Sequence, residues 1–182
     1  LAREETRAES VSWVLFGLGV TVVYLLLAGL YESFVDPLII LLTVPMALLG
    51  ALIGLKLRGL SLDVYAQMGL LVLVSLAAKN GILIVEFANQ RLKQGVALMA
   101  AVEEAALNRM RPILLTAVTS LAGFLPLLLA TGSGSASRIS IGTVVFSGLL
   151  VSTLLSLFVV PATFLLFKRW RGVGPAMPEL DG

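Results

Sequence analysis

Residues 64–88 read VYAQMGLLVLVSLAAKNGILIVEFA, a largely apolar run whose only charged residues are Lys79 and Glu86. A helix needs about 20 apolar residues to cross the hydrocarbon of a bilayer. A membrane strand needs about 10, alternating polar with apolar. This run is too long for a strand and does not alternate, so it predicts a membrane-spanning helix over 64–89. Lys79 falls near its middle, between Leu73–Ala78 and Ile82–Val85. A charged lysine at the bilayer centre costs roughly 2.5–3.5 kcal/mol on insertion scales, and Leu, Met or Ala would insert without that cost. A lysine stem reaches the headgroups only from near a helix end. Lys79 is therefore expected to face the bundle interior, a water path or a carboxylate. Glu86 lies two turns further on the same face, about 10 Å along the axis, which is too far for direct pairing. It also stands near the end of the span, where headgroup water can meet it. The counter-charge for Lys79 is expected from a segment outside this chain. Ser75, one turn back, and Asn80, next along, can both hydrogen-bond in the interior.

Outward from this run, further apolar stretches predict spans at about 11–30, 37–56, 112–131 and 139–167. The fold class is an all-α membrane protein, a bundle of five transmembrane helices. Between the third and fourth spans, Val96, Met99, Ala100, Val102 and Leu107 alternate with Lys93, Glu103, Glu104 and Arg109, which predicts one interfacial amphipathic helix over about 93–108; a solvated connecting helix fits equally well. Gly59 reads as a helix stop, with Ser61 or Asp63 as the next cap, and 131–137 as a Gly/Ser turn. Pro45, Pro126 and Pro161 lie within spans, where each removes a backbone hydrogen bond and kinks its helix. Gly50 and Gly54 have the GxxxG spacing that lets helix backbones approach. In the fourth span, Thr116 and Thr119 can bond back to their own helix.

Composition agrees. Of 182 residues, 58% are hydrophobic and 13% charged, about half the charge of a soluble domain, and the mean hydropathy is +1.01. The net charge of +2 offers no patch for nucleic acid. Cysteine and histidine are absent, so no metal site or other cofactor is expected and proton chemistry falls to carboxylates, lysine or water. The chain opens at Leu1 with a charged run, Arg3 to Glu9, unlike a signal peptide, and is expected to be interior to a larger protein. Residues 1–10 are expected as a connector and 172–182 as a disordered polar tail. An odd number of spans puts Arg91, Lys93, Arg109, Arg111, Lys168, Arg169 and Arg171 on one side, and Arg3, Arg7, Lys56, Arg58 and Arg138 on the other. The excess, with its cluster at 168–171, favours a cytoplasmic C-terminus.

Several segments together are specific enough to resemble a known family: Leu30-Tyr31-Glu32-Ser33, Val44-Pro45, Asp63-Val64-Tyr65, Ala78 to Ala88, and Arg109-Met110-Arg111-Pro112 running to Thr116. They resemble the resistance–nodulation–division transporters, in the hydrophobe/amphiphile efflux branch, over nearly the whole chain and in order. The resemblance implies a proton/drug antiporter rather than an enzyme, with this chain supplying spans eight to twelve of twelve. It implies a bacterial inner membrane location, a periplasmic connector at the N-terminus and a cytoplasmic C-terminal tail. It makes Lys79 the intramembrane lysine of a proton relay, with Arg109 and Thr116 as further members; Asn80, Ser75 and Glu86 are candidate supporting residues by their position around Lys79. The lysine's partners would be two aspartates on a span outside this chain. The implied assembly is a homotrimer embedded in lipid, completed by the remaining half of the transporter with its acidic span, a periplasmic adaptor and an outer-membrane channel. Two alternatives stand beside it: a truncated, transport-incompetent fragment or structural subunit, and a relative exporting another substrate class.

Overall fold

A computed structural model describes residues 17–19 and 21–170. The expected connector over 1–10, the start of the first span and the 172–182 tail lie outside the described residues. Six helices follow one another: α1 (Gly17–Tyr31), α2 (Val35–Leu41), α3 (Thr43–Leu57), α4 (Val64–Lys93), α5 (Leu98–Leu128) and α6 (Ser135–Trp170), with no strand among the described residues. Among the described residues, four stretches are long and apolar enough to cross a membrane: Val35–Leu57, Val64–Lys93, Leu98–Leu128 and Ser135–Trp170. The chain is an all-α membrane protein. It divides into two units, one ending at Leu38 and the other beginning at Ile39.

In the first unit, α1 turns toward α2 through Glu32, a non-glycine residue at φ 49°. The Tyr24 hydroxyl donates to the Phe34 carbonyl at 3.1 Å and closes this turn. The second unit is built around α6, which packs against α3, α4 and α5, while α4 also touches α3 and α5. Its core is made of small residues: Ala47, Ala51, Ala66 and Ala77 with Leu55, Leu70, Leu73, Val144 and Leu149. Glycines bring the backbones close. A Cβ on Gly50 would stand 2.9 Å from the Ser147 carbonyl, one on Gly54 would collide with the Ser147 hydroxyl, and one on Gly148 would collide with Leu73 and stand 2.9 Å from the Ala47 carbonyl. In lipid, where hydrophobicity does not drive helices together, such close approach supplies the association.

The connections explain the boundaries. Gly59 at φ 64° ends α3 in a Schellman turn, with Leu60 N–H donating to the Leu55 carbonyl at 3.0 Å. Asp63, not Ser61, caps α4, its Oδ1 accepting from Ala66 N–H at 2.7 Å. In the 131–137 turn, Gly132 and Gly134 have positive φ, and Arg138 donates to the Ser133 carbonyl at 2.6 Å.

Two boundaries differ from the sequence expectation. The span expected over 37–56 is interrupted at Leu42, between α2 and α3, one turn before Pro45. Pro45 has no N–H for the Leu41 carbonyl, and its ring crowds that group. The second difference concerns the helix expected over 93–108 and the span expected over 112–131, which form one unbroken helix, α5. The chain reverses earlier, at Gly95 (φ 81°), where Val96 N–H donates to the Arg91 carbonyl at 3.2 Å. Only a glycine accepts that conformation cheaply, so α4 ends at Lys93 and Pro112 falls inside α5.

Candidate functional site

Helix α4 has two faces. Ala66, Leu70, Leu73, Ala77, Asn80, Gly81, Ile84 and Ala88 are buried at helical spacing. Met68, Leu71, Val72, Ser75 and Lys79 are exposed, again at spacings of three and four. Lys79 thus stands on a face of α4 that α3, α5 and α6 leave uncovered. Within this chain it does not face the bundle interior. Among the described residues none forms an ion pair with its ammonium. Ser75 shares its face one turn away. Glu86, two turns along, is half-buried and accepts from Gln90 Nε2 at 3.1 Å.

Asn80 points the other way. It is 5% exposed, and its Nδ2 donates to Thr153 Oγ1 on α6 at 3.2 Å. The sequence placed it with Lys79 as a supporting residue, but the structure separates the two by the 100° turn between successive helical positions. Thr116 is exposed on α5, and its hydroxyl donates to the Pro112 carbonyl at 2.9 Å and the Ile113 carbonyl at 3.0 Å. Thr119 does the same one turn on.

Arg109 belongs to a second cluster, between the end of α4 and the first half of α5. Its guanidinium lies over the Phe87 ring at 5.0 Å, and Arg91 lies over the same ring at 5.4 Å. Arg91 is paired with Glu104 at 2.7 Å and donates to Gln94 Oε1 at 3.0 Å. One ring therefore carries two cations, and only Arg91 has a carboxylate beside it among the described residues. No hydrogen bond joins Arg109 or Thr116 to Lys79 among those residues.

At the opposite end of the bundle, Arg58 Nη1 donates to Thr143 Oγ1 at 3.0 Å and Nη2 to the Leu128 carbonyl at 3.2 Å. Ser140 donates to Asp63 Oδ2 at 3.1 Å. These contacts tie the α3–α4 and α5–α6 ends together. Sequence reasoning passed over Phe87, Glu104, Thr153 and the Arg58 and Asp63 contacts. The i, i+4 spacing of Phe87 and Arg91 is a local signal for one of them; the others join residues distant in sequence and leave none.

Residues 1–168 match the family described as AcrB/AcrD/AcrF. The toluene efflux pump membrane transporter TtgB of Pseudomonas putida is 46% identical over 181 residues, covering 100% of this chain. The multidrug resistance protein MdtF of Escherichia coli is 42% identical over 176 residues, covering 94% of the chain. A second toluene efflux pump membrane transporter of Pseudomonas putida, TtgE, is 43% identical over 170 residues, or 93% of the chain. The chain spans 17%, 17% and 16% of the length of these three relatives.

Proposed function

This chain belongs to the AcrB/AcrD/AcrF family of resistance–nodulation–division proteins, and from that premise we propose that it is the C-terminal membrane portion of a proton-driven multidrug or solvent efflux transporter. One observation carries the reading: a lysine in mid-span, on a face of α4 that α3, α5 and α6 leave open, with no carboxylate beside it among the described residues. An ammonium so placed needs a negative partner or water. The sequence resemblance supplies that partner as two aspartates on a span outside this chain.

Ionised carboxylates would hold Lys79 against the neighbouring helix. At 4 Å and an effective dielectric of 20, one such pair is worth about 4 kcal/mol. Protonation from the outside removes the attraction and releases the lysine. A difference of that size is enough to move a two-state helix packing from one arrangement to the other. Drug movement would follow in domains outside this chain. Thr116 and Arg109, both on α5, would complete the relay, with Arg109 held at the membrane edge by Phe87.

The proposal places the protein in the bacterial inner membrane, with the end carrying Arg91, Lys93, Arg109, Arg111, Lys168 and Arg169 in the cytoplasm. It works as a homotrimer with a periplasmic adaptor and an outer-membrane channel. The test is Lys79→Met in the full-length transporter, with drug resistance and drug-dependent proton flux measured at equal protein level. Both are expected to fall to the level of a strain without the pump. Unchanged transport would overturn the assignment.

A further inference from the structure

The three consecutive residues Lys79, Asn80 and Gly81 have three different surroundings. Lys79 projects to the uncovered face. Asn80 is buried and donates to Thr153 Oγ1 on α6 at 3.2 Å, with Thr153 itself 3% exposed. Gly81 lies against α3 and the end of α2, where an added Cβ would stand 3.2 Å from Thr43 Cγ2 and 3.4 Å from Ile40 Cα.

In water, the apolar side of a helix decides which way it turns. In lipid that instruction is weak, because hydrocarbon accepts either side. Helix α4 is such a case: Met68, Leu71 and Val72 outside are as apolar as Leu70, Leu73 and Ala77 inside. Rotation of α4 about its own axis must then be set by contacts that lipid cannot replace. A carboxamide bonded to a hydroxyl is one, since turning away leaves both groups unpaired in an apolar setting. A bare glycine seat is another, since a Cβ on Gly81 would press against Thr43 Cγ2 and Ile40 Cα.

We propose that Asn80, through Thr153, is a positioning residue that fixes the azimuth of α4 and so aims Lys79 at its counter-charge. A carboxamide has no proton to give or take in the physiological range, so its part is geometric rather than a step in the relay. The aiming of Lys79 toward a counter-charge rests on the function proposed above; the lock between α4 and α6 does not.

The test uses the full-length transporter with Thr153→Val, Thr153→Ser, Asn80→Ala and the Asn80→Ala/Thr153→Val double variant. Valine keeps the shape of threonine and removes the acceptor; serine keeps the acceptor. Proton-coupled efflux is measured against pH at equal protein level. Asn80→Ala and Thr153→Val are each expected to lower efflux by about three- to twenty-fold, the range of one interhelical hydrogen bond, and to displace the pH profile in the same direction. Thr153→Ser is expected to retain the normal profile, and the double variant to be no worse than the poorer single variant. A second readout is independent of transport: the labelling rate of a cysteine at Ser75, which shares the face of Lys79, should change in Asn80→Ala and Thr153→Val and not in Thr153→Ser. Equal pH profiles for the Val and Ser variants, losses that multiply in the double variant, or an unchanged Ser75→Cys labelling rate would each overturn the proposal. If labelling changes as expected while Lys79→Met still transports, the lock stands and the relay reading fails.

Discussion

The two sides of α4 are alike in apolar content and opposite in how their polar groups are treated. On the inner side, Asn80 is bonded to Thr153, and Asp63 at the helix start is bonded to both Ala66 N–H and Ser140. On the outer side, Ser75 and Lys79 are exposed. A soluble protein would distinguish the two sides by hydrophobicity. Here they differ by whether each polar group already has a partner within the chain. The inner face is finished within the chain, and the outer face leaves Ser75 and Lys79 open.

The largest expected effect tests the outer face. Replacing Lys79 with Leu should make insertion of the isolated α4 segment more favourable by roughly 2.5–3.5 kcal/mol, read from glycosylation of engineered flanking acceptor sites. A change near zero would mean that the lysine escapes to the interface and that the contrast between faces is not electrostatic. Next comes the inner face. Gly148→Leu forces a side chain into Leu73 and the Ala47 carbonyl and should cost about 3 kcal/mol, seen as a lower Tm of the detergent-solubilised protein. A glycine on open surface such as Gly123, with nothing within 4 Å of an added Cβ, should accept Ala with no loss of Tm. Asp63→Ala removes the cap of α4 and should cost about 1 kcal/mol, whereas Asp63→Asn should retain most of it.

A smaller effect per contact lies where α4 meets α5. Phe87→Leu removes the ring that both Arg91 and Arg109 face, a loss of about 0.5–1 kcal/mol for each exposed cation–π contact, and Phe87→Tyr should restore it. The Arg91–Glu104 pair will add little, because its side chains are 37% and 42% exposed, and what it adds should fade as salt is raised.

Much of this fold is legible in the sequence because bilayer thickness fixes how long an apolar run must be. The runs around Leu48, Leu73, Leu121 and Leu150 announce their helices without help from tertiary contacts. Turns that need a positive φ were legible at Gly59 and in the 131–137 turn. Gly95 was overlooked because charged residues on both sides give the stretch the look of a continuous amphipathic helix. The break at Leu42 is the work of Pro45, whose effect falls one turn upstream of itself. The candidate residues stand out in the sequence; the directions in which they point do not. Lys79 is conspicuous because charge is costly in mid-span, but no periodicity tells whether it faces protein or lipid when both sides of α4 are apolar. Thr153 is one hydroxyl among several on α6, and only the packing of α4 against α6 selects it as the partner of Asn80.

The central claim is that the outer face of α4 is covered, in the assembled transporter, by protein rather than lipid. A spin label on Ser75→Cys in the full-length transporter, reconstituted in bilayers, tests it through its accessibility to molecular oxygen, which concentrates among lipid tails. The account predicts an accessibility well below that of a lipid-facing site at the same depth. Accessibility equal to a lipid-facing site would contradict it, for Lys79 would then share a surface bathed in hydrocarbon, with no counter-charge to meet.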